Sequence, residues 1–158
     1  MNVKVMGAAA ALLLAGTVQA APFQNGSFES PGLSSNIATV PDGGAHASDF
    51  ITGWVVTGGN VDYIRDDYWS NPADGHYSLD LNGIAPGSIQ QTFDTVAGRT
   101  YRVSFALAGN PGGTQLKTVE VQATGSSSAV YTFDSNGTSG SNMGWTTQTY
   151  VFTATEIG

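Results

Sequence analysis

Cysteine is absent, which excludes disulfides, thiolate nucleophiles, cysteine-ligated zinc and iron–sulfur clusters. Basic residues are almost as scarce: five Lys and Arg stand against twelve Asp and Glu, a net charge of −7. Nucleic acid is held chiefly by Lys and Arg on phosphate, so this balance argues against such a partner. Charged residues make up only 11% of the chain, unlike the Ala/Glu/Lys/Leu-rich composition of a helical bundle. Apolar residues reach 41%, too many for a disordered segment. What is abundant is glycine, 21 of 158 residues. That length suits one domain, at about 100–200 residues each, and a chain of about 150 residues hides roughly 68–70% of its unfolded surface. Composition predicts a single acidic, all-β domain.

The first twenty residues stand apart. Lys4 precedes an apolar run from Val5 to Val18 containing Leu12, Leu13 and Leu14, and Val18-Gln-Ala20 supplies the residues a signal peptidase reads. The run is 14 residues long, short of the roughly 20 that span a bilayer. Residues 1–20 are therefore expected to be a secretory signal peptide, and residues 21–158 the folded domain. Without Lys4 the balance is four basic residues against twelve acidic ones, a net of −8. No membrane span is expected after signal cleavage, and the location expected is secreted or at the cell surface.

Short alternating runs follow, separated by Gly, Pro, Asn and Ser. Along Arg99 to Leu107, Tyr101, Val103, Phe105 and Leu107 fall on one face with Arg102 and Ser104 opposite, the two-residue period of a half-buried strand. Leu116 to Thr124 repeats it. Further strands are predicted at Phe50–Val56, Val61–Ile64, Tyr77–Leu81, Ser88–Phe93, Ala129–Phe133 and Thr147–Ala154. Ser30 to Ser48 reads as loop-like, and so does Ser126 to Gly144. Eight or nine short strands at this spacing predict an antiparallel β-sandwich.

Motifs for chemistry are few. There is no G-x-x-x-x-G-K-[ST], H-E-x-x-H or G-x-S-x-G, and only His46 and His76 offer an imidazole base. Asp62, Asp66, Asp67, Asp74 and Asp80 are close in sequence and raise the possibility of paired carboxylates or an oxygen-rich cation site. Asx-turns and a solvated surface are the simpler account of the loop acids. The aromatics say more. Tyr68 and Trp69 sit in the polar segment Tyr63-Ile-Arg-Asp-Asp-Tyr-Trp69, where no core requires them. Aromatic faces beside Asp, Asn and Arg suit sugars, whose C–H faces stack on rings while their hydroxyls take hydrogen bonds. Trp54 and Trp145 read instead as core anchors.

Asn25-Gly-Ser-Phe-Glu29, Ile51-Thr-Gly-Trp54, Gly59-Asn-Val-Asp-Tyr-Ile64, Ser78-Leu-Asp-Leu-Asn-Gly83 and Pro86-Gly-Ser-Ile-Gln-Gln-Thr-Phe93 resemble, in order, bacterial exported proteins of the choice-of-anchor C family. Tyr101 to Gly113, Gly144-Trp145 and Phe152-Thr-Ala-Thr155 continue the match. That family is similar to the plant cell-wall domain of unknown function 642 and to galactose-binding-like sandwiches. The resemblance implies a jelly-roll sandwich with a non-catalytic, extracellular, polysaccharide-binding role. Members usually continue past the position of Thr155 through a further strand and an anchor, so the resemblance implies that a closing strand is missing here. It also implies a structural calcium on Glu29, although the C-terminal acid that would share it is not matched.

The leading expectation is thus an exported carbohydrate-binding or cell-wall module whose partner is a polysaccharide or cell-surface glycan. Tyr63, Tyr68, Trp69 and His76 are expected to face the ligand, with Arg65, Asp66 and Asn110 as polar partners. The alternative is a structural matrix or adhesion domain that binds protein, and a small polysaccharide hydrolase or lyase is the third reading.

Overall fold

A computed structural model of the chain describes residues 2–4, 21–43 and 50–155. It is an all-β sandwich. The strands are β1 (Asn2–Lys4), β2 (Ile37–Pro41), β3 (Val55–Thr57), β4 (Asn60–Arg65), β5 (Tyr77–Asp80), β6 (Ser88–Gln90), β7 (Thr100–Leu107), β8 (Leu116–Gln122), β9 (Ala129–Asp134) and β10 (Thr146–Thr153). Hydrogen bonding joins them as β2-β4-β5, β10-β7, β3-β6 and β1-β8-β9. Every pair is antiparallel except β1 with β8. β1 also runs beside β6, and so bridges β3-β6 to β8-β9 in one layer. Asn2–Lys4 falls inside the expected leader, and residues 5–20 of that leader lie outside the described residues. Among the described residues no helix is long and apolar enough to cross a membrane.

The period-two pattern places the core. Val61 and Tyr63 of β4, Val40 of β2 and Val56 of β3 are fully buried and share one cluster with Ile89 of β6, Val119 of β8 and Phe133 of β9. A second cluster packs Tyr150 and Phe152 of β10, with Tyr101 and Val103 of β7, against Val121 and Ala129. Burying each such side chain favours folding by about 1.5–3 kcal/mol. The alternation predicted for β7 and β8 is the one observed: Val103 and Phe105 turn inward while Arg102 and Ser104 are exposed, and Val119 and Val121 are buried while Leu116 and Thr118 are not.

Three segments differ from the sequence-based expectation, and in the first, Ser88–Phe93, only Ser88–Gln90 is strand. Ile37–Pro41, inside the stretch read as loop, is the edge strand β2, paired only with β4. Pro41 at its end removes a donor that an edge position does not need. In Phe50–Val56 only Val55 and Val56 extend, because Ile51 to Trp54 closes into a turn. There Trp54 N–H donates to Ile51 O at 2.9 Å, and Gly53 takes φ +81°.

Candidate functional site

The loop between β4 and β5 carries most of the residues singled out from the sequence: Asp66, Tyr68, Trp69 and His76, with Arg65 at the end of β4. Its path is fixed from within by Asp66 N–H on His76 O (2.9 Å) and Tyr68 N–H on Arg65 O (2.9 Å). On one side Glu29 Oε1 accepts the amides of His76 (2.8 Å) and Tyr77 (3.1 Å), and Leu33 N–H donates to the Tyr77 hydroxyl (3.1 Å). On the other, Ser70 N–H donates to Gly140 O (2.8 Å) and Trp145 Nε1–H to Asn71 O (2.9 Å). Two distant segments thus clamp one hairpin loop.

That framework leaves the aromatics outward. Tyr68 is 49% exposed, and its ring lies 6.0 Å from the half-buried Trp69 indole at an interplanar angle of 47°. Neither the Tyr68 hydroxyl nor Trp69 Nε1 makes a hydrogen bond among the described residues. The charged groups beside them are paired. Arg65 Nε and Nη2 grip the two carboxylate oxygens of Asp67 at 2.9 and 2.5 Å, which holds Asp67 below the usual carboxylate range. His76 Nδ1 meets Asp66 Oδ2 at 2.7 Å, and that hydrogen bond, with the Asp66 charge, raises His76 above its ordinary 6.5.

Tyr63 does not belong to this surface. It is fully buried, its hydroxyl donates to Phe28 O, and burial pushes its pKa up to about 12. The period that makes Asp62 and Ile64 share the other face of β4 turns Tyr63 inward, so it is a core residue and presents no face to a ligand. Trp54, at 4% exposure, is the expected core anchor, but Trp145 is not: it is partly exposed and braces the loop through Asn71. Asn110 lies after β7, where its amide donates to Asp80 Oδ2 (2.9 Å) and its carbonyl oxygen accepts Gly112 N–H (2.8 Å). His46 lies outside the described residues.

Glu29 was the residue implied to hold calcium. Its Oε1 is occupied by two backbone amides, and among the described residues no three His, Asp or Glu side chains gather in a way that could hold a metal ion. Glu29 acts as the clamp of the β4–β5 loop.

Asp62 and Asp80 are direct cross-strand partners on β4 and β5. Asp62 accepts the Thr39 hydroxyl at 2.7 Å, and Asp80 accepts Asn82 N–H (3.0 Å) and the Asn110 amide. Burial, with Asp62 opposite, raises the pKa of Asp80. Both are strand residues whose pairing depends on register, and the sequence carries no signal for it. Trp145 was likewise misplaced, because its partner Asn71 is 74 positions away.

Residues 21–157 match the family described as "Protein of unknown function (DUF642)". The chain belongs to the DUF642 family. This DUF642 chain is also 34% identical over 134 residues to Halomucin of Haloquadratum walsbyi, a match covering 83% of this chain and 1% of Halomucin. The DUF642 domain therefore spans a very small part of that relative. No solved structure matches it.

Proposed function

We propose that this domain is an exported, non-catalytic carbohydrate-binding module associated with a cell wall or cell surface, of the kind that choice-of-anchor C proteins resemble. One observation carries the reading: Tyr68 stands exposed beside Trp69, with its hydroxyl and the indole N–H free of partners among the described residues. Exposed rings supply stacking faces for pyranose C–H groups, and Asp66 and His76 supply polar groups for hydroxyls. DUF642 membership and the likeness to Halomucin support an extracellular setting, the one the expected leader calls for.

Tyr68→Ala should reduce retention on the bound polysaccharide about tenfold, since an aromatic contact contributes roughly 0.5–1.5 kcal/mol beyond its buried area, while the thermal midpoint stays close to that of the parent. Absence of binding to cellulose, pectin and bacterial glycans alike overturns the reading. The adhesion alternative draws on Val130 of β9 and Val151 of β10, both more than half exposed on outer faces. A specific cross-linked protein partner together with an empty glycan array selects it.

A further inference from the structure

The charges around Tyr68 and Trp69 leave no unpaired guanidinium for an incoming anion, and carboxylates outnumber cations there. The Arg65 fork is closed on Asp67, and its remaining Nη1 points to Leu33 O at 3.5 Å. His76 Nδ1 is held by Asp66, and the His76 backbone N–H donates to Glu29 Oε1, whose charge also acts on the imidazole. Asp74 adds an exposed carboxylate to the same loop. One guanidinium and one imidazole thus stand against Asp66, Asp67, Asp74 and Glu29, on a chain whose net charge is already −7.

We infer that the β4–β5 loop selects uncharged sugar chains and turns away polyuronates. This rests on the carbohydrate-binding reading and names the ligand class for the same site. A uronic acid carboxylate stacked over Tyr68 would meet the like charges of a loop that carries Asp66, Asp67 and Asp74, with no guanidinium free to pair with it. A neutral pyranose has no such penalty: its C–H face stacks on the rings, and its hydroxyls can donate to the carboxylates the loop already presents.

A matched pair of probes isolates charge from chain shape. Affinity electrophoresis of the full chain in polygalacturonate and in its fully methyl-esterified form should show the neutral polymer retarding the protein at least about tenfold more strongly, the ratio that 1.4 kcal/mol represents. Raising salt from about 0.01 M to about 1 M shrinks the Debye length from about 30 Å to about 3 Å, so the two affinities should converge. Asp67→Asn frees the Arg65 fork and should raise affinity for polygalacturonate specifically. Equal or tighter binding of the charged polymer by the parent protein overturns the inference and leaves carbohydrate binding standing. If neither polymer binds but uncharged glucans and mannans do, the inference stands when charged glucan derivatives are rejected and falls when they are accepted. Binding to no glycan overturns both.

Discussion

Gly75 and Glu29 hold the candidate site together through space that only glycine leaves open. Gly75 takes φ +60°, and a methyl group there would collide with the Glu29 carboxylate that clamps His76 and Tyr77. Gly75→Ala should therefore destabilise the protein by about 1–3 kcal/mol, the usual range for backbone strain at a non-glycine left-handed position. The measurement is denaturant unfolding, paired with loss of amide protection at His76 and Tyr77. Glu29→Gln keeps an oxygen acceptor for both amides and should cost less than Gly75→Ala. His76 offers a second test. Because its folded-state pKa is raised, its pairing with Asp66 contributes stability that is fully present below about 6.5 and is lost as pH rises through the folded value. An NMR titration should place His76 above 6.5, and Asp66→Asn should bring it back towards that value. A His76 titration unmoved by the substitution contradicts the assignment of Asp66 as the cause.

The β4–β5 hairpin positions the loop but sets two like charges opposite each other. Asp62 and Asp80 are register partners, and such a pair opposes strand association by roughly 0.2–1 kcal/mol. Asp80 is the buried member, and its raised pKa means that the folded state holds a proton more tightly than the unfolded chain does. Stability from this group therefore increases as pH falls through the folded pKa and is lower above it. Asp62→Asn removes the opposing charge, and its side-chain oxygen can still accept the Thr39 hydroxyl. The thermal midpoint should rise at neutral pH, and the gain should vanish once Asp80 is protonated. A uniform gain across pH would mean that the opposing charge is not the reason.

The sandwich as a whole is divided by function and by packing. Its two apolar clusters draw on residues from Val40 to Ala154. β1 bridges β6 and β8 within one layer, and it lies in the segment expected to be removed on export. A chain beginning at Ala21 should keep its cooperative unfolding transition while the backbone amides along Glu120–Gln122 exchange faster, because an unpaired edge exposes N–H and C=O groups to solvent. Unchanged protection along β8 would show that another strand replaces β1.

Local pattern was enough for much of this molecule. The two-residue period along Tyr101–Leu107 and Leu116–Gln122 named the buried faces, because burial of alternate side chains is written into consecutive residues. The polar setting of Tyr68 and Trp69 marked the candidate loop for the same reason. Tertiary structure decided everything that joins residues far apart in the chain. It turned Tyr63 into the core, paired Asp62 with Asp80, engaged Glu29 on two amides, and set Trp145 against Asn71 as a brace. Strand register and loop contacts of this kind arise from packing two layers against each other, and composition and periodicity describe each layer only one strand at a time.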